Sequence, residues 1–136
     1  MAIPLDVHRF WLAGDIANPQ EEWFEGGDAF DAACRPFQVD WEAARAGSLD
    51  AWLTEPSSLV AFVILTDQFP WNLFHTNRRA CATDAIALAA AQKALAAGWD
   101  KDMATMERVF MYLHLWARGR SGAAAGEPAP LYRACR

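Results

Sequence analysis

Nine side chains between Asp67 and Asp84 are of the types that chemistry uses: Asp67, Gln68, Asn72, His75, Asn77, Arg78, Arg79, Thr83 and Asp84. Asp67 could act as a general base or orient a ligand amine, while Gln68 and Asn72 could hold a polar substrate. Arg79 and Arg108 could each grip a carboxylate or phosphate with two parallel hydrogen bonds. Tyr112 lies four residues after Arg108 and would share its helical face. A plainer reading stands beside each of these. Asp67, Gln68 and Asn72 could satisfy backbone groups where Pro70 breaks a buried helix. Thr83 or Asp84 could cap the helix that follows, and arginines commonly pair with a neighbouring acid. The candidate ligand-binding set is Asp67, Gln68, Asn72, Arg79, Arg108 and Tyr112, and no residue is singled out as catalytic.

Other chemistries have little support in the residues. His8, His75 and His114 sit in separate segments without metal-ligand spacing, so no metal is expected. Cys34, Cys81 and Cys135 are odd in number and form no close pair, which argues against a disulfide framework and a cysteine-rich zinc site. Cys81 reads as a small buried apolar residue. Phosphate-loop, dinucleotide and Gly-x-Ser-x-Gly patterns are absent from the sequence, so no cofactor is expected.

The elements that must position the polar cluster are helical by pattern. Pro4 suits the first turn of a helix reaching Leu12, and Gly14–Pro19 reads as a loop. Glu21–Phe24 forms at most a single turn. Asp28 is a plausible N-cap, Pro36 should kink or end its helix, and Gly47 is placed to stop the next one after Ala46. Thr54 reads as the N-cap of the following helix, with Glu55 and Pro56 in its first turn. The run Leu59–Leu65 is apolar on every face; periodicity alone leaves a buried strand open, and the capped start and helical neighbours favour helix. Pro70 is expected to stop that helix. Ala85–Ala97 has the highest helix propensity, ending at Gly98. A last helix starting at Asp102 or Thr105 presents Met106, Val109, Phe110 and Leu113 as one stripe. The expected class is all-α.

At 136 residues the chain fits one domain, and a compact fold of this length buries roughly two-thirds of its unfolded surface. A hydrophobic content of 54% and seven tryptophans, read as core, supply the apolar side chains. Net charge is −5. Residues 117–136 carry four arginines against Glu127, or +3, which leaves −8 for the first 116. An acidic body repels polyanions, so no nucleic acid partner is expected. Nor is a membrane partner expected, because no apolar run approaches the roughly 20 residues needed to span a bilayer. The N-terminus lacks the pattern of a signal peptide, and a cytoplasmic location is the expectation.

Several ordered blocks carry a resemblance. Asp67-Gln68-Phe69-Pro70-Trp71-Asn72, followed by Ala80-Cys81-Ala82-Thr83-Asp84, resembles the signature of the bacterial domain-of-unknown-function family 924. Val7-His8-Arg9-Phe10-Trp11, Trp23-Phe24, Phe30-Asp31, Trp52–Pro56 and Arg108–Leu113 are similar to that family's other blocks. The resemblance covers roughly residues 7–113. It implies a tetratricopeptide-like α-α superhelix of antiparallel helices, with no known reaction. Arg9, Trp71 and His75 depart from the pattern: Arg9 replaces an acid, and Trp71 and His75 replace arginines, which removes two cations from the polar corner. After Leu113 the family continues Pro-Leu-Glu-His-Ser-Glu-Asp, where this chain reads His114-Leu115-Trp116 and onward. Read one base over, GC-rich codons from Trp116 can spell Glu-Asp-Glu-Ala-Ala-Arg-Gln-Arg-Glu-Ser-Leu, so a frameshift near residue 114 is one reading of the break. The expected layout is a helical domain over 1–116 and a divergent, loosely ordered tail over 117–136.

Three function classes follow. The favoured one is a helical-repeat-like module that binds a peptide or a small polar ligand. A hydrolase-like enzyme around Asp67, Arg79 and Arg108 is the second, completed in relatives by the Glu-His-Ser-Glu stretch that this chain lacks. The third is a structural subunit that self-associates, for instance as a homodimer.

Overall fold

The computed structural model describes residues 2–13, 15, 27–75 and 77–119, with side chains as far as Tyr112. Among them there is no strand; the chain is all-α, as its pattern indicates. The helices are α1 (Pro4–Leu12), α2 (Asp28–Cys34), α3 (Gln38–Arg45), α4 (Pro56–Val63), α5 (Phe69–Phe74), α6 (Asp84–Ala96) and α7 (Thr105–Gly119). Short 3-10 turns at Arg35–Phe37, Asp50–Thr54, Arg78–Cys81 and Trp99–Asp102 link several of them. The loop expected at Gly14–Pro19 (Asp15 excepted), the Glu21–Phe24 turn and the tail from residue 120 lie outside the described residues.

Local rules place most helix ends. Asp6 sits three residues after the N-cap of α1 and accepts the Ile3 amide at 2.9 Å, satisfying a donor that the helix cannot. Gly47, at φ +84°, ends α3 with paired bonds: its own N–H reaches Ala44 O at 3.1 Å, and Ser48 N–H reaches Ala43 O at 2.9 Å. That is a Schellman closure, which needs a left-handed residue. Gly98, at φ +74°, follows α6, and its N–H reaches Leu95 O at 3.0 Å. Two expected caps move by one position: Gly27 rather than Asp28 precedes α2, and Glu55 rather than Thr54 precedes α4. Thr54 instead turns its hydroxyl onto Ala51 O at 2.8 Å. Pro36 narrows the chain into the 3-10 turn between α2 and α3 without ending the path.

Helix α4 is central. It packs against α1, α6, α7 and the Asp50–Thr54 turn, and every side chain from Leu59 to Leu65 is buried. A helix apolar on all faces has to be enclosed on all faces. One continuous core draws on every described helix, from Val7 to Met111. Phe69 joins α5 to its neighbours through rings: it lies 5.2 Å from Trp11, 5.7 Å from Phe10 and 5.1 Å from Phe37. In α7 the buried stripe is Met106, Phe110 and Met111, while Val109 is exposed. Cys34 is a free, buried thiol, and Cys81 is half-buried.

Pro70 does not stop the central helix. Residues Ile64–Gln68 widen into a π-turn, with Phe69 N–H bonding to Ile64 O, and the helix then continues as α5. A proline inside a helix has no amide to donate, and its ring collides with the carbonyl four residues back. Here that carbonyl belongs to Thr66, and one extra residue in the turn relieves the collision. Thr83 Oγ donates to the released Thr66 O at 2.6 Å, and the same hydroxyl accepts from Trp41 Nε1 at 3.0 Å. All three residues are buried. Thr83 does occupy the N-cap position of α6, yet its side chain makes no capping bond, because it is spent on the core.

Candidate functional site

The polar corner is built where α5 ends against α2, α3 and the Arg78–Cys81 turn. Because the helix runs past Pro70, Asn72 reaches α2 and its Nδ2 donates to Asp31 Oδ1 at 3.0 Å. His75 caps α5 with φ 49°, a left-handed conformation uncommon outside glycine. Its Nε2 meets the other carboxylate oxygen, Asp31 Oδ2, at 2.8 Å. Asp31 is thus a nearly buried acid bridging two polar side chains, one of them an imidazole that is 66% exposed.

In the Arg78–Cys81 turn, Arg79 pairs with Glu42 of α3. Its guanidinium lies 4.5 Å from the Phe74 ring centroid and 5.4 Å from that of Trp41, and those two rings sit 4.6 Å apart. Stacking over aromatic faces holds a planar cation in a fixed attitude while leaving it partly in water. Asn77 contributes by accepting the Arg79 amide at 2.9 Å, which shapes the turn rather than a ligand site.

The remaining candidates have other partners. Asp67 is fully enclosed, and Gln68 Nε2 donates to its Oδ2 at 2.7 Å. Arg108 donates from Nε to Met103 O at 3.1 Å. Tyr112 OH donates to Asp100 Oδ2 at 2.6 Å, and that bond, with a smaller contribution from burial, raises the phenol above its ordinary range. Arg108 and Tyr112 are therefore tied to the Trp99–Met103 segment at the start of their own helix. Asn72 and Arg79 are the two predicted residues that share the corner with His75, and Gln68 and Asp67 form their own pair behind it.

Sequence reasoning reached Asn72, His75 and Arg79 but missed the acids that orient them. Asp31 and Glu42 lie 41 and 37 positions away in the chain, beyond any helical spacing. The Phe30-Asp31 block of the resemblance is the one signal that touches either. Among the described residues, no cluster of three or more His, Cys, Asp or Glu could hold a metal ion. In the same residues no helix is long and apolar enough to cross a membrane.

The family model described as "Bacterial protein of unknown function (DUF924)" matches residues 7–118. The chain belongs to the DUF924 family. The match reaches slightly further than residue 113, so it includes the first residues after the break in pattern. No curated protein matches the chain. A solved structure, a protein of unknown function (ATU0120) from Agrobacterium tumefaciens, is similar at 34% identity and a TM-score of 0.72. The similarity covers 82% of this DUF924 chain and 61% of the Agrobacterium chain.

Proposed function

We propose that this DUF924 chain is a binding module whose polar corner meets a small polar ligand or a peptide. One observation carries the reading: two exposed polar side chains, His75 and Arg79, lie beside Phe74 in the corner, and each is held by a carboxylate, Asp31 or Glu42. Donors already fixed in place lose less side-chain entropy when they engage a partner. The aromatic face between them suits a flat or apolar group lying beside a hydrogen-bonding one.

The hydrolase-like alternative needs Asp67, Arg79 and Arg108 to converge on one substrate. Enclosure of Asp67 and the separate anchoring of Arg79 and Arg108 favour binding instead. We further take residues 1–116 as one helical domain, layered in tetratricopeptide-like fashion, in a cytoplasmic setting. Packing of α4 on α6 and of α6 on α7 supports the layering.

A thermal-shift screen of metabolites and short peptides, run on this chain and on the Agrobacterium protein, tests the proposal. Hits on this chain should weaken in both His75→Ala and Arg79→Ala. Hits indifferent to both substitutions, or no hit for either protein, would overturn it.

A further inference from the structure

Away from the polar corner, a groove of about 380 Å³ opens between the end of α3, the Asp50–Thr54 turn, α4 and α6. That volume lies within the ~300–1,000 Å³ range of small-molecule sites. Its floor is apolar: Leu53 from the turn, Phe62 from α4, and Ile86 and Ala90 from α6. The opening has a sequence cause. Positions 86, 89, 90 and 93 share one face of α6, and alanine at 89 and 90 is too short to fill the space beside Phe62.

The rim is charged in a particular way. Arg45, the last residue of α3, and Lys93, in the last turn of α6, both border the groove and are both exposed. Among the described residues, neither is in an ion pair, and the guanidinium of Arg45 lies 5.8 Å from the Trp41 ring centroid. Asp50 is the single acid on the rim. Two cations and one carboxylate leave this mouth positive on a body whose first 116 residues total −8. With no acid paired to either cation among the described residues, a negative group is favoured at this mouth.

We propose that this groove binds a small amphipathic carboxylate, an aliphatic chain lying on Phe62 and Leu53 with its head between Arg45 and Lys93. This second site does not depend on the reading of the polar corner. The test is a titration of the whole chain with octanoate, followed by NMR shifts and thermal unfolding, with octanol and octylammonium as controls. Octanoate should bind saturably and raise the melting temperature, and both controls should bind at least tenfold more weakly. Lys93→Gln should weaken octanoate by about three- to tenfold while leaving octanol unchanged. Ala89→Leu, at an exposed position where folding is not at stake, should fill the mouth and abolish binding of octanoate. Equal binding of all three probes, no binding of octanoate, or binding untouched by both substitutions would overturn the proposal.

Discussion

Replacing Thr83 by valine should unfold this chain far more readily than replacing it by serine. Valine keeps the branched shape and deletes the hydroxyl that accepts from Trp41 Nε1 at 3.0 Å and donates to Thr66 O at 2.6 Å. Both partners are buried, so each is left without water or protein to bond. A buried polar group stranded in this way costs about 1–3 kcal/mol, which puts the pair at about 2–6 kcal/mol. Total stability of a domain this size is about 5–15 kcal/mol. Serine retains both bonds and gives up one buried methyl, a loss of about 1 kcal/mol. At roughly 3–5 °C per kcal/mol, valine should lower the melting temperature by about 6–30 °C and serine by about 3–5 °C. Circular dichroism melts with urea titrations measure both. Trp41→Phe offers a second reading: it should cost less in the Thr83→Val background than in the wild type, because the bond it breaks is already gone. If valine proves no worse than serine, the hydroxyl does not hold these three segments together and the argument fails.

Other features yield shorter tests. The Glu107 carboxyl is held below its ordinary value of 4.5, first by the hydrogen bond from His8. A depressed carboxyl contributes stability that is present above 4.5 and lost as pH falls through its folded value; the melting gap between wild type and Glu107→Gln should therefore close in acid, and a gap constant down to pH 3 would contradict the pairing. Burial, with a smaller push from Asp31, raises the Cys34 thiol to about 12. It should resist iodoacetamide in the native chain at pH 8 and label readily in guanidinium, as mapped by peptide mass spectrometry. Gly98 adopts φ +74° with open space where a Cβ would point. Gly98→Ala should thus cost only the backbone penalty, about 1–2 kcal/mol in a urea titration, with no clash added.

Whatever depends on a few consecutive residues was legible in the chain. The enclosure of Leu59–Leu65 follows from its lack of a polar face, and the stops at Gly47 and Gly98 follow from the left-handed turn that glycine allows. Pro70 continues the helix that it was expected to stop, and Thr83 takes the expected N-cap position without the capping bond; the two departures are one event. Local rules make proline a breaker and threonine a cap, and each rule considers a single helix. In the folded chain the carbonyl that Pro70 releases at Thr66 is the group to which the Thr83 hydroxyl donates from 17 positions away. The would-be breaker is rescued by the would-be cap, and no periodicity records such a bond.

The consequence reaches the site. Had the helix ended at Pro70, Asn72 and His75 would have begun a loop with no reason to meet α2. Carried one turn further by α5, they close on the two oxygens of Asp31, while Phe74, beneath the Arg79 guanidinium, packs at a tilt against Trp41, whose indole nitrogen donates to the same Thr83 hydroxyl. The corner's donors are therefore positioned from beneath by the π-turn and its buried hydrogen bonds. A substitution at Thr83 that leaves the chain folded should also disturb Arg79 and His75 at the surface, although it touches neither.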